Sequence, residues 1–365
     1  MKPIAIVVGT RPEIIKMAPI IRISQKKSLP FTFIHCGQHY DYNMSQQFIE
    51  DLELPEPDYS FEVKACSQGI QTARIITFME NHLIKSTSRL VLVEGDTNTV
   101  LATALVGIKL GVPVGHVEAG LRSFDLRMPE EHNRRLADHI STYLFAPTKT
   151  AENNLRKENV WGEIYVTGNT VIDAVVQHMA LAERKSKILE SIRFDRFALA
   201  TAHRSENVDN PTVLRGFITA FAEASIPIVY PIHPRTRKRL RECGLWQKTK
   251  NCKNIQVLSP LGYFDFLVLM KKSEIILTDS GGIQEEATAP SLRKRVLVLR
   301  LSTERPEAVD AGFARVIGVN KSKILKEIEN ALSNEKKELP TKSPYGSGNA
   351  GEKIMKVIEQ GPFGK

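Results

Sequence analysis

Residues 89–120 read RLVLVEGDTNTVLATALVGIKLGVPVGHVEAG. A short β-branched run ends in the polar turn EGDTNT, an apolar helical pattern covers about 98–110, and a second apolar run ends in HVEAG. Strand, helix, strand in immediate succession is the repeating unit of a parallel sheet covered on both faces. The acidic residues fall at the carboxyl ends of the two strands, where open α/β sheets bind their ligands.

The alternation extends in both directions. Upstream, PIAIVV precedes a helix from about Pro12 to Lys26, then come FTFIHC and a helix around 43–50. After an acidic, Pro-containing loop, a helix is expected near 70–85. Downstream lie a helix across 131–140 and TYLFAPT. A second set begins after YVTGNTVIDAV: FALATAHR, a helix over 211–224, IPIVYPIHP, a helix near 235–242, NIQVLSP and a helix over 263–271. EIILTDSGG, a helix from Ile283, RVLVLR and ARVIGV complete it. The expected architecture is α/β, with two doubly wound Rossmann-like domains facing across a cleft. Their expected bounds are 1–168 and 169–349, with a last helix at 350–365 packing back on the first domain.

At 365 residues the chain exceeds one ordinary core, and two domains of roughly 170 residues follow. It is 42% hydrophobic and 25% charged, a globular composition. MKPIAIVVGT reads as a first buried strand and not a signal peptide, and no apolar stretch is long enough to span a membrane. Cys36, Cys66, Cys243 and Cys252 are scattered without a CxxC, as for reduced thiols in a cytoplasmic protein. The formal charge of +9 suits an anionic small substrate or a basic surface. The densest basic run, RTRKRLR at 235–241, has no nucleic-acid recognition motif beside it, so nucleic acid is not expected. No HExxH or close His/Cys/Asp cluster exists, and no metal is expected.

Several short motifs carry the chemistry. VVGTRPEIIKMAP sets Arg11, Pro12 and Lys16 at a strand-to-helix turn that could hold an anion, although it is neither GxGxxG nor GxxxxGK[ST]. Asp96 and Glu118 emerge from consecutive strand ends. Glu130 and Glu131 follow Pro129 at a helix start, where the helix dipole alone favours acids. Arg135 stands four residues after Glu131 and gives it a structural partner, while His132 and His139 read as local partners. TAHRSEN places His203, Arg204 and Glu206 after a buried strand. LTDSGGIQEEA offers Asp279 and Ser280 at a strand end, Gly281 and Gly282 for close approach, and an immediate helix N-terminus. Glu285 and Glu286 there suit ribose hydroxyls or a helix cap, and STERPEA adds Glu304, Arg305 and Glu307.

Taken together, GTRPEIIKMAP, GDTNT, GHVEAGLRSFD with PEEHNR, APT, GNTVIDA, AHRSEN, DSGGIQEEA, TERPEA and PYGSGNAGEKI resemble the non-hydrolysing UDP-N-acetylglucosamine 2-epimerases. The resemblance implies a glycosyltransferase-B architecture. It also implies reversible conversion of UDP-N-acetylglucosamine to UDP-N-acetylmannosamine by a homodimer, without NAD or metal. By the same resemblance Asp96, Glu118 and Glu130 are the acid/base carboxylates, with His203 beside the diphosphate. Arg11, Lys16, Ser280, Gly281, Gly282, Glu286 and Arg305 contact UDP, and Phe266 lies near the uracil. Gln38, Gln71, Arg204 and His233 match positions that bind a second UDP-N-acetylglucosamine as activator.

The chain departs from the family pattern at Asp41 and Leu261, where Gln is common, and at Leu301, where Asp is usual. The loop TAPSLRKR is also longer. Two rival enzymes share this pattern: a UDP-sugar glycosyltransferase, which has no need of several carboxylates near C2, and a hydrolysing epimerase releasing free ManNAc.

Overall fold

A computed structural model describes residues 2–38, 48–63, 66–333 and 338–361. The chain divides into two compact units: Met1–Ala174 with Tyr345–Lys365, and Val175–Pro344. The division falls inside the helix Thr170–Lys185.

Unit 1 is built on seven parallel strands: β1 (Ile4–Val8), β2 (Phe31–Gln38), β3 (Tyr59–Val63), β4 (Leu90–Glu94), β5 (Val114–Val117), β6 (Tyr143–Ala146) and β7 (Glu163–Val166). Their order is β3-β2-β1-β4-β5-β6-β7. β1 and β4 are buried along their whole length, as β-branched runs covered on both faces must be. From β1 the chain winds outward to β2 and β3, then returns to β4 and winds the other way. The strand order therefore reverses between β1 and β4, and such a switch point opens a crevice beyond the strand ends. Gly9 and Thr10 follow β1 there, and Gly95 and Asp96 follow β4.

Unit 2 repeats the plan with β8 (Ala198–Thr201), β9 (Ile228–Pro231), β10 (Ile255–Leu258), β11 (Ile275–Thr278), β12 (Arg295–Val298) and β13 (Ala314–Val316). The order is β10-β9-β8-β11-β12-β13, so its switch point lies between β8 and β11. The segments beyond those two strands carry His203 and Asp279. Its core packs Leu214, Phe217 and Phe221 of the helix Pro211–Glu223 with Tyr230 and with Ile324 and Ile328 of the helix Lys321–Ser333.

Two strands escape the sequence reading. β3 (YSFEV) and β7 (EIYV) are the outer strands of the first sheet, partly exposed and each interrupted by a glutamate or serine, so neither shows the buried β-branched run that marks its neighbours. Charge on such edges blocks pairing with other chains. The helix expected at 43–50 lies largely outside the described residues; only 48–50 are seen, and they are helical.

The helix Ala350–Gln360 packs on the helix Arg11–Lys26 within unit 1. Asp173 accepts from the backbone N–H of Ala350 at 3.1 Å and of Gly351 at 2.8 Å, supplying from afar the carboxylate a helix N-terminus favours. Among the described residues no helix is long and apolar enough to cross a membrane.

Candidate active site

Directly after β1, at the switch point of unit 1, the backbone leaves no room for a side chain at Gly9. A Cβ on Gly9 would sit 2.4 Å from Thr99 Oγ1 and 3.1 Å from the Cys36 carbonyl. The turn is pinned by Glu13, whose buried carboxyl accepts from Gly9 N at 2.5 Å and Thr10 Oγ1 at 3.1 Å. Burial pushes that carboxyl up to about 7 against the pull of these donors. Arg11, half-buried, opens the helix that follows.

Beyond β4, Asp96 forms an ion pair with Arg134 of the helix Pro129–Ile140. The Asp96 carbonyl accepts from Asn133 Nδ2 at 3.0 Å, the same amide donates to Asn98 Oδ1 at 3.1 Å, and Asn98 Nδ2 donates to Gln71 Oε1 at 2.8 Å. Side-chain amides thus tie Gln71 to the Asp96 backbone. The side chain of Gln38 lies outside the described residues, as does Asp41.

Glu118 follows β5 with φ of +70°, a strained conformation for a residue with a side chain. Its Oε2 receives Lys16 Nζ at 2.5 Å and Asn169 Nδ2 at 2.9 Å, donors that favour the charged carboxylate. Lys16 also reaches Glu94 Oε1, 3.0 Å away, so it is engaged by two acids of unit 1.

A buried network fixes these strand ends from below. His116 sets Nδ1 2.7 Å from Asp138 Oδ1 and Nε2 2.7 Å from the Gly95 carbonyl. Both partners are acceptors only, so both ring nitrogens must carry protons and the ring is an imidazolium. Burial alone would lower its proton affinity, but the charge and hydrogen bond of Asp138 outweigh it and raise the pKa. Arg122, 2.7 Å from Asp138, grips Glu158 through two bonds of 3.0 and 2.7 Å. The Gly95 carbonyl lies between Glu94 and Asp96 in the chain, so this imidazolium holds the segment that presents both.

The paired glutamates part company. Glu131 is fully buried; its Oε2 accepts from Ser123 N and Ser123 Oγ, both at 2.9 Å, and from Arg134 at 2.9 Å. Arg135 adds a longer contact of 3.5 Å. Glu130 is exposed in the helix's first turn, without a hydrogen-bond partner among the described residues.

In unit 2, Asp279 organises the segment beyond β8. Fully buried, it accepts from His203 N at 3.1 Å, Arg204 N at 2.9 Å and Asn207 Nδ2 at 3.0 Å, with His203 Nδ1 3.2 Å away. Burial works against the charge, yet these donors outweigh it and lower the pKa. The His233 ring lies 5.5 Å from that of His203, and its Nδ1 accepts from Arg235 N, which fits a neutral ring; burial lowers its pKa, and His203 adds to the effect.

Ser280 caps the helix Gly281–Glu286 by position, and Ser280 N donates to Thr278 Oγ1 at 3.0 Å. In front of this helix stands Glu304, with Oε1 3.1 Å from where a Gly281 Cβ would be. Arg204 binds Glu304 at 2.8 Å, and Arg300 pairs with it as well. Burial would raise the Glu304 carboxyl, but Arg305, Arg300 and Arg204 hold it down to about 2. Arg305 is 2.6 Å from the buried Glu285, while Glu286 and Phe266 are half-buried. Among the described residues, no group of three or more His, Cys, Asp or Glu is placed to hold a metal ion.

The sequence motifs contained most residues of this description, though not Asp138 or Glu158, and partnerships such as Glu94 with Lys16, Arg134 with Asp96, His116 with Asp138, and Asn169 with Glu118 were not readable in them. Each joins residues distant in sequence. The one signal was that Glu94, Asp96, His116, Glu118 and Asn169 lie at or near a strand's carboxyl end; Lys16, Arg134 and Asp138 come from helices.

A family model described as UDP-N-acetylglucosamine 2-epimerase matches residues 21–359. The UDP-N-acetylglucosamine 2-epimerase of Methanocaldococcus jannaschii is 44% identical over 369 residues, covering 99% of this chain and 100% of that protein. That of Methanococcus maripaludis is 45% identical over 368 residues, covering 98% of each. The crystal structure of the Methanocaldococcus jannaschii UDP-GlcNAc 2-epimerase in complex with UDP-GlcNAc and UDP superposes with a TM-score of 0.88 at 45% identity, over 99% of this chain and 100% of that one.

Proposed function

The chain belongs to the UDP-N-acetylglucosamine 2-epimerase family, and from that membership we propose that it interconverts UDP-N-acetylglucosamine and UDP-N-acetylmannosamine without hydrolysis. The observation that favours this reading is a pair of carboxylates at strand ends of unit 1: Glu118 after β5, accepting from Lys16 and Asn169, and Asp96 after β4, paired with Arg134. A nucleotide-sugar binding protein or a transferase has no use for such a pair.

The chemistry explains the need. The C2 proton of the sugar has no adjacent carbonyl and is not acidic, so its removal must be coupled to departure of a group from C1. UDP is a good leaving group. A carboxylate takes the C2 proton, the C1–O bond breaks with its electron pair going to UDP, and a C1–C2 double bond forms, giving 2-acetamidoglucal. UDP then adds back at C1 while a proton is delivered to the opposite face of C2. Asp96, Glu118 and Glu130 are assigned these proton transfers. Acids in different surroundings suit a site that needs both a charged and a protonated partner. Asp96 faces Arg134, Glu118 faces Lys16, and Glu130 is solvated.

UDP is assigned to unit 2: His203, Ser280, Gly281, Gly282 and Arg305 for the diphosphate, Glu286 for the ribose and Phe266 for the uracil. Backbone N–H groups at a helix start and nearby arginines stabilise departing phosphate. Arg11 completes the anion contacts. Lys16 is engaged with Glu94 and Glu118, and its proposed part is to hold the base. The glucal must be kept from water until UDP returns.

We assign activation by a second UDP-N-acetylglucosamine to Gln38, Gln71, Arg204 and His233, and a homodimer as the working form. The test is substitution: Asp96→Asn, Glu118→Gln and Glu130→Gln are each expected to lose at least about a hundredfold in kcat, as for removal of a general acid or base. Near-normal turnover in all three would refute the assignment.

A further inference from the structure

Lys16 offers one ammonium to two buried carboxyls, its Nζ lying 2.5 Å from Glu118 Oε2 and 3.0 Å from Glu94 Oε1. The two acids are not equivalent. Glu118 has a second donor, Asn169 Nδ2 at 2.9 Å, and its side chain is 8% exposed. Glu94 is 1% exposed, and its Oε1 meets the ammonium without a well-directed hydrogen bond.

Glu13, on the same helix as Lys16, faces the pair as a further buried acid. Asp96, paired with Arg134, follows Gly95 in the chain, and the His116 imidazolium holds the Gly95 carbonyl. Ionising Glu13, Glu94 and Glu118 together against one ammonium would bury net negative charge, which desolvation opposes. A proton therefore resides on the acid with the least water and the fewest donors, and that acid is Glu94. The electrostatics agree: burial pushes its carboxyl well above the usual range, Glu118 and Glu13 push the same way, and Lys16 opposes them.

We propose that Glu94 is a positioning residue for Glu118: as a buried neutral acid it leaves the Lys16 ammonium to Glu118, and on ionising it draws that ammonium away. The inference rests on Glu118 being an acid/base group of the reaction. When Glu94 loses its proton to solvent, two charged carboxylates share one cation. Glu118 then loses part of its donor set, and its place is no longer fixed. Because Glu94 is 1% exposed and is assigned no substrate contact, the effect falls on kcat, on the alkaline side, and leaves KM nearly unchanged.

The experiment is the pH profile of kcat and KM, with UDP-N-acetylglucosamine, for the full-length wild type, Glu94→Gln and Glu118→Gln. Glu94→Gln copies the shape of the neutral acid and cannot ionise. It is expected to lose the alkaline fall in kcat that the proposal predicts for the wild type, extending that limb by about one pH unit or more, with KM within about twofold. Glu94→Met, also unable to ionise, gives the same readout should the amide variant not fold. Superimposable kcat profiles, or a wild-type kcat that stays flat across the alkaline range, would overturn the proposal. Full turnover by Glu118→Gln, or no epimerisation by the wild type, would instead overturn the reading on which it rests.

Discussion

Adjacent glutamates on one helix show how little residue type says about role. Glu131 is buried against Ser123 and Arg134, and ties the loop after β5 to the helix Pro129–Ile140. Glu130, one residue earlier, is in solvent. Glu131→Ala leaves a buried arginine short of a partner and is expected to cost about 3–5 kcal/mol. Glu130→Gln is expected to leave stability within about 0.5 kcal/mol while removing turnover. Denaturant unfolding beside an activity assay separates the two.

Glu304 tests the electrostatics of unit 2. Its carboxyl is held from an ordinary 4.5 to about 2 by Arg305, Arg300 and Arg204 despite burial. A depressed carboxyl stabilises the fold fully above the unfolded value, and that contribution is lost as pH falls through the folded one. Glu304→Gln is thus expected to destabilise at pH 7 by something on the order of 3 kcal/mol. The gap to wild type should shrink as unfolding is measured from about pH 5 towards pH 2, and a gap independent of pH would contradict the account.

At the scale of elements, the central strands were legible because burial on both faces forces continuous β-branched runs, as in IAIVV and LVLVE. β3 and β7 were not, since an outer strand in water needs no such run. Asp96 and Glu118 could be placed at strand ends from sequence alone. The partners that set their charge could not, because periodicity carries no information about which distant side chains meet. Glycine was legible only as punctuation. Gly120 has φ of +85°, and a Cβ there would come 2.3 Å from the Ala151 carbonyl of the helix Lys149–Lys157. Gly120→Ala is therefore expected to cost about 2 kcal/mol or more in thermal or chemical unfolding, since neither the backbone angle nor the carbonyl can yield cheaply.

On the scale of the whole molecule, two units each use a doubly wound sheet to present a few polar groups at a strand-order reversal, and the chain's last helix returns to the first unit. Asp173 anchors that return through two backbone N–H groups. Asp173→Ala should lower the stability of unit 1 by about 1–3 kcal/mol, the cost of stranding buried donors, and calorimetry would register it as a lower unfolding temperature. The division of labour between the units is the central claim: carboxylates in unit 1 exchange the C2 proton while unit 2 keeps hold of UDP. Incubation of the wild-type protein with UDP-N-acetylglucosamine in D2O, followed by proton NMR, tests it most directly. The account expects UDP-N-acetylmannosamine carrying deuterium at C2, with UDP retained in both nucleotide sugars. Free N-acetylmannosamine with UDP, or no exchange at C2, would contradict it.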